Sequence, residues 1–331
     1  MNVRWAAAYL LLLVFLAGTL SGCGGGDEQG RVTVLKLAHG LDASHPVHQG
    51  MVYMAERAYE KSGGQLRIDI YPNEQLGSER ECLELVQLGI LAMTKSSSAP
   101  MEGFVPTFRV LGLPYLFRDD EHMWKVFNGP IGRELLAAGE AKGLKGLCFY
   151  DSGARSFYTK SKRVETPADL AGLKIRVQKS IMSMRMVAAM GGAPTPIDWG
   201  ELYTSLQQGV VDAAENNPPS FHISHHYELC RYYILDEHLR VPDVLVINPK
   251  IWHSLSPELQ RILQEAVDES VIEQRRLWKK AVDEALAEVE RAGVTIIRPD
   301  KRPFREAVRS LWAQFEGTPL GKLAERIQAV E

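Results

Sequence analysis

Between Ser256 and Gly293 the chain carries one unbroken helical pattern. Ser256 is a good N-cap, Pro257 takes the first helical position, and no glycine or proline intervenes before Gly293. Roughly 35 residues rising ~1.5 Å each span ~50 Å, further than one small α/β domain is wide. Such a helix is either a coiled-coil arm or a strut laid across two bodies. Its apolar residues do not hold a sustained a/d heptad, so the strut is predicted. The fold must then supply two bodies for it to join.

The rest of the chain reads as material for them. Strand-like and helix-like segments alternate: a strand over 32–40, a helix from about Pro46 to Lys61 with Ser44 as N-cap, and a strand over 66–72. Ser78 caps a helix with acidic Glu79 and Glu81 in its first turn. Short strands follow over 91–99 and 143–153, then a helix near Ser180–Met190, another from Trp199 to about Gln208, and a strand over 241–249. This alternation predicts α/β layers on parallel sheets, with ligands held beyond the strand ends. With 331 residues, 45% of them hydrophobic, the chain can bury one large core or two smaller ones.

The first residues have a separate meaning. Arg4 precedes a short apolar run from about Ala6 to Leu20, which ends in Leu20-Ser21-Gly22-Cys23. The run is shorter than the ~20 residues a membrane span needs and reads as an export signal. Small residues before a cysteine resemble a bacterial lipobox, so Cys23 is the expected lipidation site. Residues 1–22 would then be a lipoprotein signal peptide and the glycine-rich 23–31 a flexible tether. An exported, membrane-anchored protein is predicted.

Composition removes several functions. A net charge of −3 gives no basis for binding nucleic acid or an anionic membrane surface. Beyond Cys23, the cysteines Cys82, Cys148 and Cys230 lie in helix-like or strand-like contexts and read as small buried hydrophobes. No G-x-S-x-G, H-E-x-x-H or phosphate loop is present, so no enzyme is predicted and no cofactor is implied. A metal site would lean on His222, His225 and His226, or on His45 and His48; His222 and His226 have an i,i+4 spacing that can grip zinc on a helix, but no third ligand stands at a diagnostic spacing.

One strand poses a question. In AGLKIRVQ (171–178) a period of two puts Leu173, Ile175 and Val177 on one face and Lys174, Arg176 and Gln178 on the other. A mid-strand arginine serves either a structural ion pair with Asp151, Asp212 or Glu215, or an anionic ligand. Arginine suits a carboxylate because its planar fork meets both oxygens and never loses its charge. Glu79, Lys95 and Ser97 (on alternate positions), and His39 at the end of the first strand, are further candidates for a cleft.

Six motifs stand in order between about residue 32 and the end: YPNEQLGSERE (71–81), PYLF (114–117), GARSFYT (153–159), DLAGLKIRVQ (169–178), GAPTPIDWGELYTSLQQGVVDAAENNPPS (192–220) and WHSLSPELQ (252–260). The resemblance they carry is to the DctP-type solute-binding proteins of TRAP (tripartite ATP-independent periplasmic) transporters. It implies an α/β fold, a two-domain periplasmic-binding-protein clamshell with crossing segments and one long helix spanning both domains. The boundaries expected are 32–152 plus 242–281 for the first domain, and 153–241 plus 282–331 for the second. It also implies that Arg176 pairs with a ligand carboxylate, that Arg155 shares it or meets a hydroxyl, that Asn216 adds hydrogen bonds, and that Trp199 lies against the ligand. Glu215 reads as structural. The motifs are most similar to those of receptors for sugar acids such as hexuronates and diketogulonate. A C4-dicarboxylate or keto acid is the competing ligand. The implied partner is a membrane permease with small and large subunits, driven by an ion gradient; a sensor protein is the other possible recipient.

Overall fold

The computed structural model describes residues 32–331, so the expected signal peptide, tether and lipidation site at Cys23 lie outside the described residues. Eleven strands are described. The first six are β1 (Thr33–Ala38), β2 (Leu66–Tyr71), β3 (Met93–Ser97), β4 (Lys145–Tyr150), β5 (Ala154–Thr159) and β6 (Lys174–Val177). They are followed by β7 (Ala193–Pro196), β8 (Ala213–Asn216), β9 (Tyr232–Arg240), β10 (Asp243–Ile247) and β11 (Thr295–Ile297). One sheet has the order β2-β1-β3-β10-β4, the other β11-β9-β5-β8-β6-β7, with helices around each.

Both sheets are mixed, which corrects the expectation of parallel ones. β1 runs parallel to β2 and β3, and β6 to β7 and β8, but β10 opposes β3 and β4 while β5 opposes β8 and β9. The cause lies in the crossings between lobes. Asp151–Gly153 carries the chain from β4 to β5, and Val241-Pro242 carries it back from β9 to β10. β4 leaves the first sheet at the end where β10 enters, with Tyr150 opposite Asp243. β5 begins where β9 ends, with Ala154 opposite Arg240. Because the chain leaves and re-enters each sheet at the same end, the strands flanking the crossings run in opposite directions.

The third crossing is the long helix, Pro257–Arg291, capped by Ser256 as its sequence predicts. Ile262, Leu263, Ala266, Val267, Ser270, Gln274 and Trp278 form a buried stripe at three- and four-residue spacing. The first half of the helix lies on helix Pro46–Lys61, and its later turns reach helix Pro218–Ile223 in the other lobe. Gln274 sits at the changeover. Its Oε1 accepts from the Asp151 N–H and its Nε2 donates to the Asp151 carbonyl, both at 2.9 Å, which clamps one crossing onto the strut. Gly50 lets the two helices approach so closely, because a Cβ there would stand 2.7 Å from the Gln274 Cβ.

The largest apolar cluster is not confined to one lobe. It runs from Leu83 and Val86 through Phe108, Trp124 and Phe127 to Ile175, Met182, Leu311 and Ile327. The C-terminal helices are further tied to the first lobe's excursion by Arg118, which donates to the Gln328 and Val330 carbonyls at 2.9 and 2.6 Å. Cys82, Cys148 and Cys230 are free and buried.

Candidate functional site

Between the lobes lies a small polar cavity of about 30 Å³. β3 and β10 build one wall. Ser97 stands opposite Asp243 in their ladder, and Lys95 shares that face by the period of two. Lys95 is 2% exposed, and its Nζ donates to Glu79 Oε1 at 3.0 Å and Asp243 Oδ1 at 3.2 Å. Burial opposes the ammonium, but the two carboxylates outweigh it and hold the pKa above its usual value.

Glu79 owes its reach to its neighbour. Ser78 and Glu81 form a complete capping box, with Glu81 accepting from the Ser78 N–H at 2.8 Å. Capping is thus done by Glu81. Glu79 is left to turn into the cleft, where it accepts from Lys95 and from the Ser97 N–H at 3.0 Å.

The facing wall comes from β5, β6 and β8. Arg155 is paired with an acid. It makes a forked ion pair with the Glu215 carboxylate, its Nη2 donates to the Glu215 carbonyl at 2.7 Å, and its Nη1 donates to Asn216 Oδ1 at 2.8 Å. The Asn216 oxygen also accepts from the Asn217 N–H at 2.9 Å, so only its amide N–H groups remain for a ligand. Turn work falls to Asn217, which caps helix Pro218–Ile223 through the Ser220 N–H.

Arg176 is different. It is 2% exposed, and β6 is flanked by β7 and β8, so the strand is interior as its sequence suggests. Its Nε donates to the Ile197 carbonyl at 2.9 Å, and the guanidinium carbon stands 5.7 Å from the centroid of the Trp199 ring. Its Nη1 is buried without a hydrogen-bond partner among the described residues. Glu215 is taken by Arg155, Asp212 accepts from the Lys174 N–H, and Asp151 accepts from Gly153 and Trp124. Burial therefore pushes the Arg176 guanidinium below its usual pKa, the direction for a cation without a carboxylate.

Of the residues singled out in the sequence, Arg176, Arg155, Asn216, Trp199, Glu79, Lys95 and Ser97 all line this cavity. His39 does not. Its Nδ1 accepts from the Leu41 N–H at 3.1 Å, so Nε2 carries the proton and meets His48 Nδ1 at 2.9 Å. The strand end turns its ring back onto the helix it precedes. That helix is capped by His45 and not by Ser44, which closes a local turn with Asp42.

Eight lining residues were not among the expected site residues, including His45, Gln178, Ser220 and Asp243. Three of these four take part in contacts that join the lobes, His45 Nε2 to Ser220 Oγ at 3.2 Å and Ser97 Oγ to Gln178 Oε1 at 3.4 Å. Only Gln178 had a signal, since alternation puts it beside Arg176. His222 and His226 do not share a helix. Helix Pro218–Ile223 ends between them, His225 adopts a left-handed φ of 56°, and His226 Nδ1 is engaged by the Tyr158 hydroxyl at 2.9 Å. Among the described residues no group of three or more His, Cys, Asp or Glu is disposed to hold a metal ion.

Two mixed α/β lobes, joined by short crossings and a strut and closed over a polar cavity with one unmatched cation, define a clamshell receptor for a small anion. The chain belongs to the DctP family, the bacterial extracellular solute-binding proteins of family 7, whose model matches residues 37–318. A TRAP periplasmic solute-binding protein from Xanthobacter autotrophicus Py2, solved with bound β-D-galacturonate, is 40% identical. It superimposes with a TM-score of 0.87 over 90% of this chain and 100% of its own. Another from Roseobacter denitrificans, with bound β-D-glucuronate, is 37% identical, with a TM-score of 0.87 over 90% and 100% of the two chains. The 2,3-diketo-L-gulonate-binding periplasmic protein YiaO of Escherichia coli K12 is 31% identical over 276 residues, 81% of this chain and 84% of its own.

Proposed function

We propose that this chain is an extracytoplasmic receptor, not a catalyst, that closes on a hexuronate or a related sugar acid and delivers it to a TRAP permease. The observation that carries the reading is the buried Arg176 with no carboxylate partner. Of the cavity's three cations, Lys95 faces two acids and Arg155 is matched by Glu215, so Arg176 is the one without an ion-pair partner and the one placed to meet a ligand carboxylate. Glu79, Asp243 and the Asn216 amide offer acceptors and donors suited to hydroxyls, and the Trp199 ring suits the C–H face of a sugar. A C4-dicarboxylate would bring a second charge against the acidic wall of Glu79 and Asp243. The similarity to galacturonate-, glucuronate- and diketogulonate-binding proteins supports the same class.

In this reading the lobes divide as 32–152 plus 242–281 and 153–241 plus 282–331, hinged at Asp151–Gly153 and Val241-Pro242. No described helix is long and apolar enough to cross a membrane. Attachment is assigned to a lipid on Cys23; Cys23→Ser should move the exported protein to the soluble fraction, and unchanged membrane association would remove the anchor.

The ligand test is a melting screen of the protein without residues 1–31. Galacturonate, glucuronate and diketogulonate should raise Tm, because a ligand at a hundredfold excess over Kd adds about 2.7 kcal/mol. Succinate and malate should not. Stabilisation by the dicarboxylates alone would select the competing ligand, and stabilisation by zinc alone would overturn the organic-acid reading.

A further inference from the structure

Behind Arg155, away from the cavity, the barrel of side chains continues. Glu215 Oε2 faces His238 Nε2 at 3.6 Å, and His238 Nδ1 meets Asp236 Oδ2 at 2.7 Å. All four residues are buried, Asp236 and His238 completely. Asp236 also accepts from the Phe157 N–H at 3.2 Å, so it serves as an acceptor on both oxygens. The order is then cation, anion, ring, anion. With a neutral ring the chain Arg155–Glu215–His238–Asp236 would carry a net negative charge, lying directly behind the wall that must receive an anion. With an imidazolium it is neutral.

The geometry favours the imidazolium. The Nδ1–H donates to Asp236, which leaves Nε2 buried without a hydrogen-bond partner among the described residues, its nearest charged neighbour the carboxylate that already holds the Arg155 fork. An unprotonated Nε2 would point its lone pair at that carboxylate. The other groups facing the ring do not supply the missing charge. Phe157 stacks on it at 4.3 Å, and Tyr115, whose backbone N–H donates to the His238 carbonyl at 2.8 Å, is held neutral by burial. Glu237, next along β9, is engaged by Lys301.

We propose that His238, fixed by Asp236, is a positioning residue for ligand binding: as a buried cation it neutralises the carboxylates behind Arg155, so that the β8 wall presents no negative charge to an anionic ligand. The proposal rests on the sugar-acid reading above for its ligand, though not for the charge state of the ring. Burial alone would lower the His238 pKa; Asp236 and Glu215 reverse this and raise it to about 9. A group so raised keeps its contribution at lower pH and loses it as pH climbs through about 9. Anion affinity should therefore be flat near neutrality and fall over that range.

The test pairs binding with spectroscopy. D-galacturonate affinity is measured from about pH 7 to pH 10 for the wild type, His238→Gln and the double variant Asp236→Asn/His238→Gln. One unit charge roughly 10 Å away at an effective dielectric near 20 corresponds to about tenfold in Kd. His238→Gln should bind about tenfold more weakly at neutral pH and lose the alkaline dependence. The double variant, neutral again, should recover most of the affinity, which a loss of mere structural support would not allow. Equal affinity with a parallel pH profile would overturn the proposal, as would a double variant no better than the single. Independently of any ligand, nitrogen chemical shifts of the wild-type ring must report an imidazolium at about pH 7. A neutral ring there overturns the inference even where galacturonate binds; absence of galacturonate binding with a charged ring overturns the ligand reading instead.

Discussion

Arg176→Ala takes away the one cation of the cavity that no carboxylate matches, and two opposite effects should follow. Hexuronate affinity should drop by about 100-fold or more, since the ligand's charge is then buried without its partner. Arg176→Lys should lie between, keeping the charge but losing the fork. The ligand-free Arg176→Ala protein should melt no lower than the wild type, because an unmatched buried cation is itself destabilising. Calorimetry and melting curves on the same samples check both; unchanged affinity would move the carboxylate elsewhere. At this scale the sequence was informative where chemistry is local. Alternation along KIRVQ placed Arg176, and the double acid in SERE placed Glu79 at a helix start. What stayed hidden was pairing between distant strands. Arg155 reads as a second ligand arginine, but nothing local announces that it also pairs with Glu215, which reaches it from β8. Asp243 and Ser220 escaped for the same reason, since each meets its neighbours only through contacts remote in sequence.

Elements with strong ends were legible. Ser256, Pro257 and Gly293 bracket the long helix closely, and Ser78 caps the helix it was expected to cap. β5 was not recognised as a separate strand, because a three-residue crossing leaves no room for an obvious turn between it and β4. Strand direction failed as well. Alternation of strand and helix suggests parallel pairing, but direction depends on which end of a sheet the chain re-enters, and a two-residue link such as Val241-Pro242 has no periodicity to reveal that. The helix expected from Trp199 begins as a 3₁₀ turn over Trp199–Glu201 before Leu202–Gln207, which leaves the indole beside Arg176 instead of inside a regular helix.

For the whole molecule, the resemblance and the strut together made two lobes readable, while the shared apolar cluster was not, because it assembles from segments more than 200 residues apart. Closure is the property to measure. His45–Ser220 and Ser97–Gln178 bridge the lobes, and Glu102 accepts from the backbone N–H groups of Ile181 and Met182 at the start of helix Ile181–Ala189. In solution scattering the radius of gyration should fall when a hexuronate is added, and an unaltered curve at saturation would exclude a hinged clamp. The two short crossings also dictate an order of assembly. β10 lies between β3 and β4, yet it is synthesised after nearly the whole second sheet. Until residues 243–247 are present, β3 and β4 expose unsatisfied ladder edges that invite pairing with other chains. The first sheet therefore cannot close until the chain has passed through most of the second: β3 and β4 must wait unpaired for β10, and completion of one lobe depends on synthesis of the other.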